Sequence, residues 1–559
     1  MPRHVPGGGI DRMPFYFRAI AIDYDGTLSE QPRAAADVLD AVRAVRESGR
    51  RCVLVTGRIL EELRADFPDV REHFDAIVAE NGAVLVGPGD TNLPLATPVS
   101  ESLASRLDSR GVPYRRGQVL LATEAAFDGE VYDAIRSLGL DLQLVRNRHA
   151  LMVLPAGVTK GTGVARALAA LNLSMHNAIG IGDAENDHAL LDACEIGVAV
   201  RNAIEPLKAH ADLVLAEPNG AGVAAFLRRL ARHDTLAIEP RRHRIALGTY
   251  DDGTPAMIPA SRVNIALYGP SGSGKSHVAG LLAEQLLAQD YTLCVLDLEG
   301  DHTGLGALHG VVTLGGQSPL PPLDEVVRLL TRGLGSVVVD LSLEADDEKR
   351  AYAMGLLHAL RRARAESGLP HWIFVDEAHV PLHASGDGWW CQDAEETGLC
   401  VITYRPELIC EQVRRRVDIC ITLDEDRQAY VLRAGAAAHR AFAPAARTIG
   451  HIRHWHKYSE GQLPVERHFV FRDRSGPVGT SAGNLEEFVS ALAHVPRSVL
   501  RHHAGHGDFS RWLGDLSRRP AVREAVREVE RALAVERPPH ETAALRSRLQ
   551  DAVRSHAMH

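Results

Sequence analysis

Short apolar runs alternate with amphipathic stretches along most of the chain, and several of the runs end in a polar, glycine-bearing loop. RAIAIDYDGT (18–27), RCVLVTGR (51–58) and HNAIGIGDAEND (176–187) have this form in the first part. RVNIALYGPSGSGKS (262–276), TLCVLDLEGDH (292–302), SVVVDLS (336–342), HWIFVDEAH (371–379) and LCVITYRPE (399–407) repeat it in the second. Continuous apolar runs of four to six residues, separated by helix-period segments, predict buried strands of parallel sheets, hence an α/β architecture. AHADLVLAEPNGAGVAAFLRRLARHD (209–234) reads as the last strand and helix of the first part. Near the C-terminus, Val522, Val526, Val529 and Leu533 follow helical spacing, and Pro538–Pro539 stop that helix before a final amphipathic stretch. Three domains are expected: 17–232, interrupted by an insertion over about 86–152, then 241–450, then a mostly helical 451–559.

The 559 residues are 45% hydrophobic and 24% charged, with mean hydropathy −0.10, which excludes a membrane bundle and a mostly disordered chain. No apolar run approaches the ~18–20 residues that span a bilayer, and the N-terminal stretch lacks the apolar core of a signal peptide, so a cytoplasmic location without membrane contact is expected. Seven cysteines without a CxxC pair suit a reducing compartment. A net charge of −10 argues against a general nucleic-acid binder. Only five of the 62 basic Lys and Arg side chains are lysines, and two of them, Lys160 and Lys275, fall where a compact point charge suits phosphate.

In the first part, Asp23 and Asp25 follow one strand, Thr56 and Arg58 a second, Asp183 and Asp187 a third, and Lys160 opens a helix between them. This order resembles the haloacid dehalogenase-like (HAD) hydrolases, and within them the Cof-type, IIB-capped phosphatases. AENGAVL (79–85) and GVAVRNA (197–203) add to the likeness. The resemblance implies a Rossmann-like core with a small α/β cap. It makes Asp23 the nucleophile and Asp25 the general acid/base, with Thr56 and Lys160 on the phosphoryl oxygens. Mg²⁺ would be held by Asp23, Asp183 and the backbone carbonyl of Asp25, with Asp187 supporting. A carboxylate attacking a phosphate dianion needs such a cation and lysine to offset repulsion. Arg146, Asn147 and Arg148, on the return from the cap, read as solvated surface.

In the second part, a strand, the G-x-x-x-x-G-K-S loop and a helix succeed one another, which is the context of a P-loop, or Walker A motif. Gly269, Pro270, Ser271, Gly272, Ser273 and Gly274 cradle the phosphates of ATP, Lys275 reaches the β/γ oxygens, and Ser276 takes Mg²⁺. About a hundred residues on, Asp376 would hold the Mg²⁺ shell and Glu377 polarise the attacking water, favouring hydrolysis over transfer. LGTYDDGTPAMIP (247–259), DLEGDH (297–302), DEAH (376–379) and TYRPELICEQVRRRVDICITL (403–423) resemble the HerA/FtsK/VirB4-type ATPases of the RecA-like class. Tyr404 stands where that family usually carries a Gln sensor, and the translocases' N-terminal barrel and longer helical insertions are missing. DNA pumping is therefore not carried over.

Cys391, Cys400, Cys410 and Cys420 recur too widely for a metal site and read as small apolar residues. His451, His454, His456, His502, His503 and His506 read as surface. The expected function is a Mg²⁺-dependent phosphatase acting on a small, sugar-phosphate-like metabolite through an aspartyl-phosphate, fused to an ATP-binding and -hydrolysing module that regulates it. The alternative is an ATP-driven nucleic-acid processing or translocating protein with an end-trimming phosphatase. The ATPase resemblance also implies a homo-oligomeric ring, a hexamer, with Arg405 or Arg414 to Arg416 reaching a neighbour's nucleotide.

Overall fold

The computed structural model describes residues 15–147, 149–232, 238, 240–333, 335–384, 397–426, 428–434, 439–449, 468–473, 476–517 and 520–557. Arg148, Cys391, His451, His454 and His456 lie outside the described residues. Two compact units result, residues 1–298 with 302–451 and residues 299–301 with 452–559. The two α/β modules thus share one unit.

The first module is built on strands β1 (Ala19–Asp23), β2 (Arg51–Val55), β3 (Ala76–Ala79), β4 (Val84–Val86) and β5 (Asn92–Pro94). A cap follows with β6 (Arg115–Arg116), β7 (Leu121–Glu124), β8 (Leu142–Asn147) and β9 (Ala150–Pro155), and the core resumes with β10 (Ala178–Gly182), β11 (Ile196–Ala199) and β12 (Leu213–Val214). The eight core strands are ordered β12-β11-β10-β1-β2-β3-β4-β5, and β12 through β3 run parallel. Every residue of β1 and β10 is buried, as expected of runs covered on both faces. The loops after β1, β2 and β10 therefore emerge side by side at one edge of the sheet.

The cap differs at its boundaries from the expected 86–152. The β4–β5 hairpin extends the core sheet, and β9 runs on to Pro155 in a separate four-stranded cap sheet, β6-β7-β9-β8. The alternation along β9 explains this: Leu151 and Val153 join the cap's own core, whereas Met152 and Leu154 join that of the main sheet.

The second module carries β13 (Arg244–Tyr250), β14 (Pro255–Pro259), β15 (Ile265–Tyr268), β16 (Leu293–Asp297), β17 (Val311–Gly315), β18 (Ser336–Asp340), β19 (Trp372–Val375), β20 (Leu399–Thr403), β21 (Ile419–Leu423), β22 (Ala429–Arg433) and β23 (Arg440–Pro444). They form one sheet ordered β14-β13-β23-β22-β21-β15-β20-β19-β16-β18-β17, parallel from β21 to β17. One strand, β20, separates the P-loop strand β15 from β19, and Asp376 directly follows β19.

The C-terminal unit has an antiparallel hairpin, Phe469–Asp473 with Gly476–Ala482, and five helices between Leu485 and Ala557. Phe469, Phe471, Phe488 and Phe509 fill its core. His503 is a correction to the surface reading: it is buried, its Nε2 accepts from the Arg472 backbone N–H (2.8 Å), and its Nδ1 faces Asp508 (2.8 Å). Phe469, Phe471 and Phe509 pack around that ring and exclude water from it.

Candidate functional site

At the edge where β1, β2 and β10 end, Lys160 is buried between two carboxylates, with Nζ donating to Asp23 Oδ1 and Asp187 Oδ1, both at 2.6 Å. The Lys160–Ala170 helix presents this lysine in its first turn, behind a Thr159–Thr162 capping box. Asp187 also accepts from the backbone N–H groups of Asp183 (2.9 Å) and Ala184 (3.0 Å) through Oδ2. Both its oxygens are engaged, so Asp187 shapes the loop that presents Asp183. The Thr27 hydroxyl donates to Asp183 Oδ1 (3.1 Å).

Burial, then the Asp187 carboxylate, push the Asp23 carboxyl well above its ordinary range; Asp183 adds to this and Lys160 offsets part of it. Burial works against the Lys160 ammonium, but Asp187 and Asp23 together hold its pKa above the usual lysine value. Oxygen donors of Asp23, Asp183 and Asp187 lie within 4.8 Å of one another. An all-oxygen, crowded carboxylate set is what a hard divalent cation such as Mg²⁺ takes.

Asp25 sits at the mouth, its carboxylate held by Arg58 through Nε (3.0 Å) and Nη2 (2.6 Å), with the Thr56 hydroxyl at 3.4 Å. Arg58, named in the sequence only as the end of the Thr56–Gly57–Arg58 run and given no role there, is a further functional candidate. Glu80 is another. Its buried carboxylate accepts from the cap's backbone N–H groups at Gln118 (2.8 Å), Val119 (2.8 Å) and Leu120 (3.1 Å), tying cap to core. Glu80→Ala leaves these donors without their acceptor, so we expect a stability loss of about 2–3 kcal/mol in urea unfolding and a raised KM for any phosphatase substrate. The Arg146 side chain pairs with Asp128 on the exposed cap surface.

In the second module the P-loop runs from β15 into the Lys275–Leu287 helix. Gly269 has φ 155°, and a Cβ there would meet the Leu423 carbonyl oxygen at 2.5 Å, so only glycine fits. Lys275 folds across the loop, Nζ donating to the carbonyls of Gly269 (2.8 Å) and Pro270 (2.9 Å). Asp376 is buried at the end of β19, and Glu377 follows with φ 43°, a left-handed conformation that is costly for glutamate and concentrates at functional sites. His379 bridges toward the neighbouring loops, Nδ1 lying 3.4 Å from Glu377 Oε2 and 3.0 Å from the Thr403 hydroxyl. Tyr404 is exposed and packs edge-on against His379, with Arg405 over its ring. Arg415 pairs with Glu411 on the surface. Cys400 and Cys410 are buried, Cys420 partly so, and among the described residues none of them joins a metal-ligating group.

Between the modules lies a buried polar seam that the sequence did not announce. Glu195, from the loop before β11, accepts from Tyr291 Oη (2.8 Å), from the Ser261 hydroxyl and from His176 Nδ1 (2.8 Å). His176 Nε2 donates to the Gln289 carbonyl (2.7 Å), and its ring stacks on Tyr291 at 3.7 Å. Burial, the largest single influence, opposes the Glu195 charge, yet the bond and charge of His176, with His243 and the Ser261 bond, together hold the carboxyl below the ordinary glutamate range. His371 accepts from the Thr292 N–H at Nδ1 (2.8 Å) and donates from Nε2 to Ser174 (3.0 Å).

A parallel α/β core with an aspartate–lysine–aspartate cluster, joined to a second sheet that carries a P-loop sequence, has the build of a hydrolase fused to a second α/β domain. Residues 131–227 match the haloacid dehalogenase-like hydrolase family, and residues 245–320 match the central domain of helicase HerA. A phosphoglycolate phosphatase of Methanothermobacter thermautotrophicus is 31% identical over 219 residues, 38% of this chain and 98% of that protein. Phosphoglycolate phosphatase 2 of Saccharolobus solfataricus is 31% identical over 218 residues, 38% of this chain and 91% of its own. A solved HAD subclass IIB sugar phosphatase aligns over 38% of this chain and 98% of its own, at 20% identity and TM-score 0.33. The chain belongs to the haloacid dehalogenase-like hydrolases, and behind the hydrolase it carries a region, 245–320, that is similar to the central domain of helicase HerA. Among the described residues no helix is long and apolar enough to cross a membrane.

Proposed function

We propose that the first module hydrolyses small phosphate monoesters through an aspartyl-phosphate, and that the P-loop module regulates it through the buried seam. The observation carrying the first half is the ion network in which Lys160 joins Asp23 to Asp187 beside Asp183. Asp23, Asp183 and the Asp25 backbone carbonyl would hold Mg²⁺, which when bound offsets the charge that builds on the phosphoryl oxygens. A carboxylate oxygen of Asp23 attacks phosphorus in line while the bond to the leaving oxygen breaks. Asp25, oriented by Arg58, gives that oxygen a proton. It then takes one from the water that attacks the aspartyl-phosphate, which restores Asp23 and releases phosphate. Lys160 and Thr56 steady the phosphoryl oxygens. The cap, held by Glu80, excludes water and favours a small leaving group, and the phosphoglycolate phosphatases among the relatives support a substrate of that size. A panel of phosphoglycolate, sugar phosphates, nucleotides and 5′-phosphorylated DNA, assayed with and without ATP, tests this; hydrolysis of the DNA ends alone would reverse it.

In the second module Lys275 and the 269–276 loop would bind ATP phosphates, Ser276 and Asp376 its cation, and Glu377 the attacking water. A cleft of about 470 Å³ bearing Arg244, Arg433 and Arg440 supports one further arm: salt-sensitive stimulation of ATP hydrolysis by DNA would favour the nucleic-acid reading. A hexameric ring, with ATP sites shared between neighbours, is read by light scattering with and without a non-hydrolysable analogue.

Regulation rests on the seam. Gln289 and Tyr291 follow the P-loop helix, and His176 precedes β10, which leads to Asp183. Burial holds the His371 pKa well below the ordinary histidine value. The unfolded chain therefore takes up this proton first on acidification, so stabilisation present above about pH 6.5 is lost as pH falls. We expect unfolding free energy to drop between pH 7 and 5.5 with a slope of at most about 1.4 kcal/mol per pH unit from this group. His371→Asn, which keeps a polar side chain there, should flatten the profile; an unchanged slope would exclude His371 as its source.

A further inference from the structure

Asp297 closes β16, the strand beside β19, and five residues later the chain returns to the same pocket at His302. The His302 backbone N–H donates to Asp297 Oδ2 (2.7 Å), which fixes that return. His302 is 2% exposed, and its Nε2 has no hydrogen-bond partner. Asp376 Oδ2 stands 3.9 Å from it, beyond hydrogen-bond reach. One donor atom each from Asp297, His302 and Asp376 lies within 4.8 Å of the other two.

A buried imidazole nitrogen without a partner is costly, and native proteins seldom leave one so. Donors that share an ion at about 2.0–2.2 Å each stand about 3–4 Å apart, the spacing of His302 and Asp376. Magnesium takes oxygen ligands and parts with water reluctantly, whereas an imidazole nitrogen suits first-row transition ions. The hydrolase cluster offers the contrast, since its donors are carboxylates alone.

We propose that His302, with Asp376 and Asp297, makes the cation site of the P-loop module a nitrogen-containing one that takes a transition-metal ion of the manganese(II) class in preference to magnesium. The inference rests on the P-loop reading only for its place beside ATP; the three donors stand without it. Manganese would bridge the gap that no proton spans, and His302 would hold Asp376 in register with the P-loop.

The test uses the full chain carrying Asp183→Asn, which weakens the hydrolase cation cluster, with Mn²⁺ alone as the probe. Electron paramagnetic resonance should report a tightly bound Mn²⁺ with an electron spin-echo modulation from a directly bound nitrogen. Labelling histidine with ¹⁵N should change that modulation, and Mg²⁺ should displace Mn²⁺ only at about tenfold or greater excess over the Mn²⁺ concentration. His302→Gln should abolish the nitrogen signal and weaken Mn²⁺ binding by about tenfold or more. If that variant does not fold, His302→Asn is measured in its place, and His176→Asn, which should leave the nitrogen signal unchanged, excludes the other histidine-bearing cluster, His176 with Glu195 and His243. Absence of Mn²⁺ binding, bound Mn²⁺ without histidine nitrogen, or a signal that survives His302→Gln would overturn the proposal. Histidine-coordinated Mn²⁺ in a protein that binds no ATP would uphold the metal site and remove the P-loop reading instead.

Discussion

Asp23→Asn should lower phosphate-monoester hydrolysis by more than about a hundredfold, equivalent to about 2.7 kcal/mol in the barrier, while ATP binding stays unchanged. The amide keeps the shape of the side chain but has no carboxylate oxygen to attack phosphorus, and it takes one charge from the cation cluster. The fold should tolerate it. Burial and the Asp187 carboxylate already disfavour the Asp23 charge, and Lys160 keeps Asp187 as a partner at 2.6 Å. Thermal unfolding should therefore give a midpoint at or above that of the unsubstituted protein. A midpoint that holds while activity disappears separates loss of chemistry from loss of structure. Residual hydrolysis above about a hundredth would instead remove Asp23 from the nucleophile's role.

The residues that the sequence made legible are those whose spacing is local. Asp23 and Asp25 directly follow an apolar run, Lys160 stands at a helix start, and 269–276 is one continuous loop, so strand–loop–helix order sufficed to find them. Arg58 was within reach of the same reasoning, because it follows Thr56 by two residues. Glu80, Glu195 and His302 were not, since each is defined by a partner that folding supplies. Glu80 meets the backbone of 118–120, Glu195 meets Tyr291 and Ser261 of the other module, and His302 turns toward Asp376. Nothing in local periodicity marks a buried carboxylate whose acceptors are satisfied by another module. The cap boundary was hidden for a related reason: the alternate faces of β9 enter two different cores, and a single apolar run does not say which.

Lys275→Ala should abolish ATP hydrolysis and weaken nucleotide binding severely, and its effect on the phosphatase then reports whether the modules communicate. The Lys275 ammonium is largely buried and spans the loop carbonyls of Gly269 and Pro270, so in this arrangement it holds the cradle's shape as well as its charge. Alanine removes both, leaving the backbone N–H groups and the helix N-terminus to face the phosphates without a cation. Phosphatase turnover on a small substrate should respond to ATP in the unsubstituted protein and not in Lys275→Ala. The route is physical: the P-loop helix ends at Leu287, Gln289 and Tyr291 grip His176 and Glu195, and β10 leads from that grip to Asp183. Glu195→Gln supplies the control that isolates the route. It removes the charge that His176, Tyr291 and Ser261 share, so ATP should still be hydrolysed while its influence on phosphatase turnover fades. Unaltered ATP hydrolysis in Lys275→Ala would refute the P-loop reading. An ATP response that persists in Glu195→Gln would keep both enzymes and move their coupling away from the seam.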